Sequence, residues 1–536
     1  MKDGFRQAMA WLHTWIGLIF GWLLFAIFLT GTMSYFKAEI NRWTHPEIPV
    51  RSVPAAASIE RAQAYLLQNA AGSSRWFISL PDDREPALGV MWQTPAQEGK
   101  RGNFTRKSLD PQTGEEIQAR SSMGGEFFYR FHFQLQMPHP WGRWLATAAA
   151  MLMFIALITG IITHKKIFKE FFTFRPRKGQ RSWLDGHNAI GVLALPFHLM
   201  ITYSSLVIFM SMVMPASIVA SYGNNVQAFY ADIFPNTNGA KATGTPAPLT
   251  PLMPVLSAAQ GQWPEGNIGR IVVNNPGDAN ATVAVFRSSA DSVIHDTGLA
   301  LMFNGVSGAM QSAPAPRSGP MLVSGAMYGL HLGEFAGPLM RWLYFIFGIA
   351  GTAMIGTGLV MWLAKRQLKH VKSGVLPLEL RLVHVLNVAG MAGLMVAVAA
   401  FFWANRLLPL GMAERGDWEI NLFFSVWGLT VLHALLRNGR QGWREQLALG
   451  AVLFAGLPVL DIVTGGKYLL ASLQQGDWVL IGFDLTALVT GLFMAWGATK
   501  FRPVPPVLVA RGDEQAAPKK SRQLGIDTTQ LEGEVN

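Results

Sequence analysis

The sequence predicts a membrane-embedded, all-α bundle of about eight transmembrane helices with two α+β modules on one side. Three observations predict it. Half of the 536 residues are hydrophobic and only 14% are charged, against about a quarter charged in soluble domains. Several stretches run almost without charge for about 18 residues or more, the length that crosses a hydrocarbon core. The 44 Lys and Arg, set against 33 Asp and Glu, gather in short loops between these stretches, as the positive-inside rule requires. The net charge of +11 therefore follows from membrane topology, and nucleic acid is not expected as a partner. The 18 Trp and 33 Phe suit a lipid-facing surface with aromatic interfacial belts.

Spans are expected at 12–36, 141–164, 187–213, 339–363, 382–404, 419–437, 446–464 and 477–498. The loop 165–183 holds Lys165, Lys166, Lys169, Arg175, Arg177, Lys178 and Arg181 against one acid, Glu170. Lys365, Arg366, Lys369 and Lys372 follow span four, and Arg437, Arg440 and Arg444 follow span six. If the spans alternate, these three basic segments share one side, the cytoplasm, and both termini lie there. The apolar stretch from Trp11 is too long for a signal-peptide core and reads as a retained span, 1–36. The tail 499–536, rich in Pro, Lys, Glu and Gln, is expected to be disordered.

Two long segments, 37–130 and 214–330, face the opposite side. In the first, a helical stretch near Ser58–Asn69 precedes strand-like runs Trp76–Leu80, Leu88–Trp92 and Phe104–Leu109 and a turn over Asp110–Gly114. In the second, Pro251–Gln260 precedes Gly269–Val273, Thr282–Phe286 and Leu299–Phe303, with a turn over Asn304–Gly308. The spans repeat as well. His13-Thr-Trp-Ile-Gly17 opens span one and His187-Asn-Ala-Ile-Gly191 opens span three. Arg143-Trp144-Leu145 and Arg341-Trp342-Leu343 open spans two and four, with Thr159-Gly160 and Thr357-Gly358 near their far ends. The first four spans thus form a duplicated unit related by an axis along the membrane normal. The chain divides into span one, the first module, spans two and three (131–213), the second module, span four (331–366), and four added spans (380–498).

Cysteine is absent. That excludes disulfides, thiolate-held iron–sulfur clusters and covalent haem attachment, so a redox cofactor would be held chiefly by histidine. Ionisable residues in spans are costly and point to function. His13 and His187 stand at matching positions near the inner face, and His132 and His331 at matching positions near the outer face. Two histidines at each depth suit two non-covalent, bis-histidine b-type haems stacked across a bilayer. His198 follows His187 by 11 residues, which returns it to within about 20° of the same helix face and about 16 Å further along. His164, at the inner end of span two, is a further inner candidate. The repeat favours His13 with His187 and His132 with His331, with His164 and His198 as alternates. Arg143 and Arg341 could meet haem propionates, although both, with their neighbouring tryptophans, also suit plain interfacial anchors. His384 and His433 share one side in spans five and six, where a third site or a structural or quinone-related role is open. His45, His139, His295 and His370 read as polar anchors. The span glycines serve close helix packing as well as a porphyrin.

On HTWIG (13–17), GIITHKKIFKEFFTFRP (160–176), SWLDGHNAIGVLALPFHLMITYSSL (182–206) and GLHLGEFAGPLMRWLYFIFG (329–348), the chain resembles the PepSY-associated transmembrane family of iron-regulated inner-membrane proteins, which includes siderophore reductases. The resemblance covers roughly residues 5–366. It implies that the outer modules are PepSY-like and periplasmic, that two b-type haems are bound, and that electrons pass to ferric siderophores. It carries ligand roles onto His13, His132, His187 and His331 and leaves the added spans unassigned. Ferric iron is held tightly by hard oxygen donors and ferrous iron far less so, so one-electron reduction would release the metal. No GxGxxG opens a helix after a strand, so the electron donor is expected to be quinol or a separate cytoplasmic reductase. Two other classes remain: a transporter of iron chelates using the repeat for alternating access, and a cofactor-free sensor or protease-regulating membrane protein. Buried carboxylates that would suit a transporter are few, Asp461 and Asp484, both outside the repeat.

Overall fold

The computed structural model describes residues 2–501 except 51–52, 96–101, 165–174, 176–179, 224, 234–240, 296–298, 315, 371–375, 438, 466–471 and 475. Most of the inner basic loop and all of the C-terminal tail from 502 therefore lie outside the described residues.

The first span is made of two helices, α1 (Lys2–Ile19) and α2 (Gly21–Ser34). A short helix α3 (Lys37–Thr44) leads to the first outer module, α4 (Ala55–Asn69) and strands β1 (Arg75–Ser79), β2 (Leu88–Gln93) and β3 (Phe104–Leu109). Helix α5 (Gly124–Gln134) returns the chain to span two, α6 (Trp141–Thr163). Span three is again a pair, α7 (Gln180–Leu193) and α8 (Leu195–Ile208), followed by short helices α9 (Met210–Val213), α10 (Ala216–Tyr222) and α11 (Val226–Ile233). The second module comprises α12 (Leu252–Gln262) and strands β4 (Ile268–Asn274), β5 (Thr282–Arg287), β6 (Ala300–Asn304) and β7 (Met310–Ser312). Helix α13 (Gly319–Leu332) precedes span four, α14 (Pro338–Gln367). The added spans are α15 (Leu378–Asn387) continuing through a π-turn into α16 (Leu394–Leu407), then α17 (Arg415–Leu436), α18 (Gly439–Gly465) and α19 (Trp478–Lys500). Six helices are long and apolar enough to cross a membrane, or eight spans if each bent pair counts as one.

Spans one and three depart from the straight helices expected. The first bends by 66° at Phe20 and the third by 67° at Ala194. In span three the cause is Pro196, which has no N–H for the Val192 carbonyl and whose ring crowds it. In span one, Gly21 sits at the bend where Leu359 of α14 presses in, and a Cβ there would lie 2.7 Å from Leu359 Cδ2. The duplicated unit thus repeats its bend as well as its sequence, by two different means.

The two outer modules are not separate bodies. β1 pairs antiparallel with β4, Ile78 opposite Ile271, and fuses both into one seven-stranded sheet of order β3-β2-β1-β4-β5-β6-β7. The reason is alternation: Trp76 and Ile78 point to the same face as Ile271 and Val273, so one register buries both sets together. Helices α4 and α12 cover that face with Ile59, Leu66, Leu252 and Val255. The turns at Asp110–Gly114 and Asn304–Gly308 form as expected, each closed by its Asp or Asn side chain accepting two backbone N–H groups. Gly114 and Gly308 both carry positive φ.

The added spans pack on the duplicated unit through an aromatic core of Phe127, Phe128, Phe401, Phe402 and Phe423. The π-turn Val388–Gly393 has a local cause. It presents the Ala389 carbonyl to the Trp427 indole N–H at 3.0 Å, and Gly390 leaves room for Trp22 of α2, whose indole donates to Asn387 Oδ1 at 2.9 Å. A π-turn misaligns one carbonyl from the helical ladder, and here that carbonyl has a partner.

Candidate functional site: two histidine pairs at two depths

At the inner end, the imidazoles of His13 on α1 and His187 on α7 lie with ring centres 6.3 Å apart and ring planes at 79°. Each is oriented by the far end of the neighbouring span of its own repeat. His13 Nδ1 donates to the Ala156 carbonyl at 2.9 Å, and His187 Nδ1 donates to the Met354 carbonyl at 2.9 Å. A carbonyl only accepts, so Nδ1 carries the proton and each Nε2 keeps its lone pair. Thr159 and Thr357 stand 3.5 and 3.3 Å from the same Nδ1 atoms. The glycines that follow them make the room: a Cβ on Gly160 would lie 3.2 Å from His13 Cε1, and one on Gly358 3.4 Å from His187 Cε1.

At the outer end, His132 on α5 and His331 on α13 stand with ring centres 6.0 Å apart. His132 Nδ1 donates to the Ile27 carbonyl at 2.8 Å. His331 Nδ1 lies 3.0 Å from Ser204 Oγ and hydrogen-bonds the Ile201 carbonyl. Ile27 and Ile201 follow His13 and His187 by the same number of residues, so the repeat gives the two outer histidines equivalent backbone positions. Gly31 lies under His132, where a Cβ would sit 2.5 Å from Nδ1.

Two imidazoles that each bind one metal through Nε2, at about 2 Å per bond, have ring centres about 6 Å apart. Both pairs meet that distance, and each imidazole has its second nitrogen tied to a backbone or hydroxyl partner, as metal-ligating histidines generally do. No group of three or more His, Asp or Glu able to hold a metal ion occurs among the described residues. A pair of axial imidazoles suits a metal whose remaining positions are filled by a macrocycle, which is the donor set of a bis-histidine haem. The residues present therefore fit such a group at both depths.

The alternates fall differently. His164 caps the C-terminus of α6 within electrostatic reach of His187. His198 on α8 is fully buried between the pairs, its ring edge-on to Phe28 at 6.2 Å, with Nε2 3.4 Å from the Phe347 carbonyl. His384 and His433 make no ring contact with each other among the described residues. His433 Nε2 meets Glu445 at 2.8 Å while Gln446 lies 3.2 Å from Nδ1, and His384 packs beside Gly439. His45 is tied to the Asn41 carbonyl, and His295 stacks on Tyr328 at 4.7 Å.

His132 and His331 line a cleft of about 1820 Å³ beneath the fused sheet. Its wall carries a charge triad that crosses the repeat. Glu39 accepts from Arg84 Nε and Nη2 at 3.0 and 2.8 Å and from Arg341 Nη1 at 2.8 Å. Arg341 Nε is buried and has no hydrogen-bond partner among the described residues. Arg143 donates to Gln134 Oε1 at 3.1 Å and lies over the Phe133 ring. Glu85, also on the wall, has its carboxyl pushed up by burial. Neither the triad nor the role of Gly31 was legible in the sequence, because Glu39, Arg84 and Arg341 belong to three separate segments. The Thr-Gly pair repeated in spans two and four was the one signal that pointed to the inner cradle.

Comparison with known proteins places these features in a family. An uncharacterised protein of Pseudomonas aeruginosa is 24% identical over 403 residues, 70% of this chain and 95% of that protein. Cytochrome c biogenesis protein CcsA from two Synechococcus strains is 27% identical over 214 residues and 26% over 196. Those matches cover 38% and 35% of this chain and 54% and 50% of the relatives, so the chain spans about half their length. A family model described as the PepSY-associated TM region matches residues 10–365, the stretch that contains both histidine pairs and the fused sheet. The chain is a multi-pass membrane protein and belongs to the PepSY-associated transmembrane family.

Proposed function

We propose that this protein is a di-haem, b-type electron carrier of the bacterial inner membrane that reduces ferric siderophores or other ferric chelates in the periplasm. The observation that carries the proposal is the two imidazole pairs, at metal-bridging separation and at two depths of one duplicated bundle. Haem, when bound, supplies one-electron chemistry at its iron. The chain's own part is to hold, orient and screen. His13 and His187 offer Nε2 at the inner site, and His132 and His331 offer it at the outer site, while Ala156, Met354, Ile27 and Ile201 fix the ring planes through their carbonyls. The unpartnered Nε of Arg341 is the donor available to a propionate. The cleft between the outer pair and the sheet is the space in which a ferric chelate would meet the electron. The chelate's iron takes one electron and, as ferrous iron, leaves its hard oxygen donors. The basic segments between spans support a cytoplasmic position for both termini, and under this reading quinol or a cytoplasmic reductase supplies the electron. The partial likeness to proteins named for cytochrome c biogenesis is in keeping with haem handling.

The test is spectroscopic. Protein made with haem supply and purified in detergent is expected to show a Soret band and sharp reduced α and β bands, with two haems per chain. His13→Ala or His187→Ala removes one haem, and His132→Ala or His331→Ala the other. Reoxidation of the reduced protein by ferric chelates tests the acceptor. A folded but colourless protein refutes the proposal and favours the transporter or sensor.

A further inference from the structure

The repeat is broken at one place in the membrane core. At the positions where α2 carries Leu24 and Phe28, α8 carries His198 and Thr202. An ionisable side chain and a hydroxyl, one helical turn apart, stand where the other copy has two apolar groups. His198 is fully buried and Thr202 is 4% exposed, and among the described residues neither His198 Nδ1 nor Thr202 Oγ1 has a hydrogen-bond partner. Buried polar atoms are normally satisfied, so two orphans on one helix face need an explanation. Thr202 lines the cleft that holds His132 and His331, while His198 lies just behind it. Along α8, His198 is about one turn before Ile201 and less than two turns before Ser204, the residues that orient His331, and is separated from His187 by the bend.

Among the described residues, the middle stretches of the helices around His198 carry no fixed charge. Helices α2, α6, α13 and α14 pack near α8 in this core. Neither α2, α8 nor α13 contains an Asp, Glu, Lys or Arg, and neither does 144–163 of α6 or 342–364 of α14. The titratable and charged groups on these elements and beside them are Tyr35, Tyr203, Tyr328, Tyr344 and the paired histidines His132 and His331, with Arg143 and Arg341 at the cleft ends of α6 and α14 and Lys365 and Arg366 at the far end of α14. Arg84, Arg143 and Arg341 stand on the cleft wall, Arg84 and Arg341 already paired with Glu39. On the apolar side of the outer site an arriving electron meets no charged side chain, and low-dielectric surroundings make the added charge costly.

We propose that His198, reached through the Thr202 hydroxyl, is a proton-accepting site that compensates the electron at the outer histidine pair. This rests on the di-haem reading above. When one electron passes from the inner to the outer site, one proton moves from water in the cleft past Thr202 to the His198 imidazole. When the electron leaves for the ferric chelate, the proton returns to the cleft. An O–H bond of a hydrated proton in the cleft is exchanged for an N–H bond on the imidazole and re-formed when the proton returns, and the donor and acceptor of the electron are those of the proposed reaction.

Redox potentiometry of the haem-loaded full chain between pH 6 and 8 tests this. One proton per electron lowers a midpoint potential by about 59 mV for each tenfold fall in proton concentration. One of the two haem components, the one lost in His132→Ala, is expected to approach that slope, and the other to stay flat. His198→Leu, which installs the residue of the matching repeat position, and His198→Gln, which keeps polarity and volume, are both expected to flatten the slope while leaving haem content and the low-spin spectrum unchanged. Thr202→Val is expected to keep the slope but slow proton uptake in stopped-flow reduction with a pH dye. A flat slope in the unaltered protein, or an undiminished one in both His198 variants, overturns the inference while the di-haem reading stands. An unaltered uptake rate in Thr202→Val removes the hydroxyl from the path. A colourless protein overturns both readings, and is seen before any titration begins.

Discussion

Replacing Gly31 by Ala tests how tightly the outer pair is built. The added methyl would lie 2.5 Å from His132 Nδ1 and 2.6 Å from Cε1, about 1 Å inside ordinary contact. The ring can escape only by leaving the Ile27 carbonyl, which it meets at 2.8 Å. Loss of that hydrogen bond costs about 0.5–1.5 kcal/mol, and overpacking a helix interface a further 1–3 kcal/mol. Ala in place of a mid-helix Gly returns about 1 kcal/mol. The net expectation is a loss of about 1–3 kcal/mol together with a displaced His132. Gly17→Ala is the control: nothing lies within 4 Å of a Cβ there, so only the helix-propensity gain remains. The assay is thermal unfolding in detergent alongside haem content and reduced spectra. Gly31→Ala is expected to melt lower and to lose the outer haem signal, and Gly17→Ala to melt no lower and to keep both. Equal stability and spectra for the two variants would refute the argument that close approach at Gly31 sets the outer imidazole.

Three further outcomes follow from other contacts. Glu39→Gln leaves Arg84 and Arg341 sharing a cleft wall without their carboxylate; the loss is expected at about 2 kcal/mol, below that of a fully buried pair because Arg84 is partly exposed, and is read from unfolding temperature. Asp461→Ala strips the fully buried Arg406 of the carboxylate it meets at 2.6 Å, leaving it over the Trp43 ring; a loss of about 3–5 kcal/mol is expected, whereas an unchanged melting point would show the pair to be dispensable. Asp278, which closes the loop before β5 by accepting the Thr243 and Asn280 backbone N–H groups, has its carboxyl held down at about 2 by those bonds. Its folded value is below the ordinary one, so its contribution is complete above about pH 4 and fades as pH falls toward 2. Asp278→Asn is expected to flatten that part of the stability–pH profile, and an unchanged acid limb would count against the assignment.

The sequence by itself determined the membrane class, the apolar stretches that form six long helices and two bent pairs, the duplicated unit and the positions of four matching histidines. These depend on composition, on hydropathy over a window and on similarity between two stretches of one chain, all of which are local properties. The inner cradle was half legible, because Thr159-Gly160 and Thr357-Gly358 repeat as words. The tertiary structure alone decided that β1 joins β4 and makes one sheet of two modules, since edge pairing depends on which strand the bundle brings alongside. The repeat favours His13 with His187 and His132 with His331, but only the tertiary structure set their ring centres about 6 Å apart and His198 apart from both pairs. An imidazole's direction depends on which carbonyl of a neighbouring helix it meets, and hence on bends at Phe20 and Ala194 and on close approach at Gly31, Gly160 and Gly358. The charge triad of Glu39, Arg84 and Arg341 was invisible for the same reason. Sequence lists ionisable groups along a line, whereas their pairing is fixed by how helices from different parts of that line pack against one another.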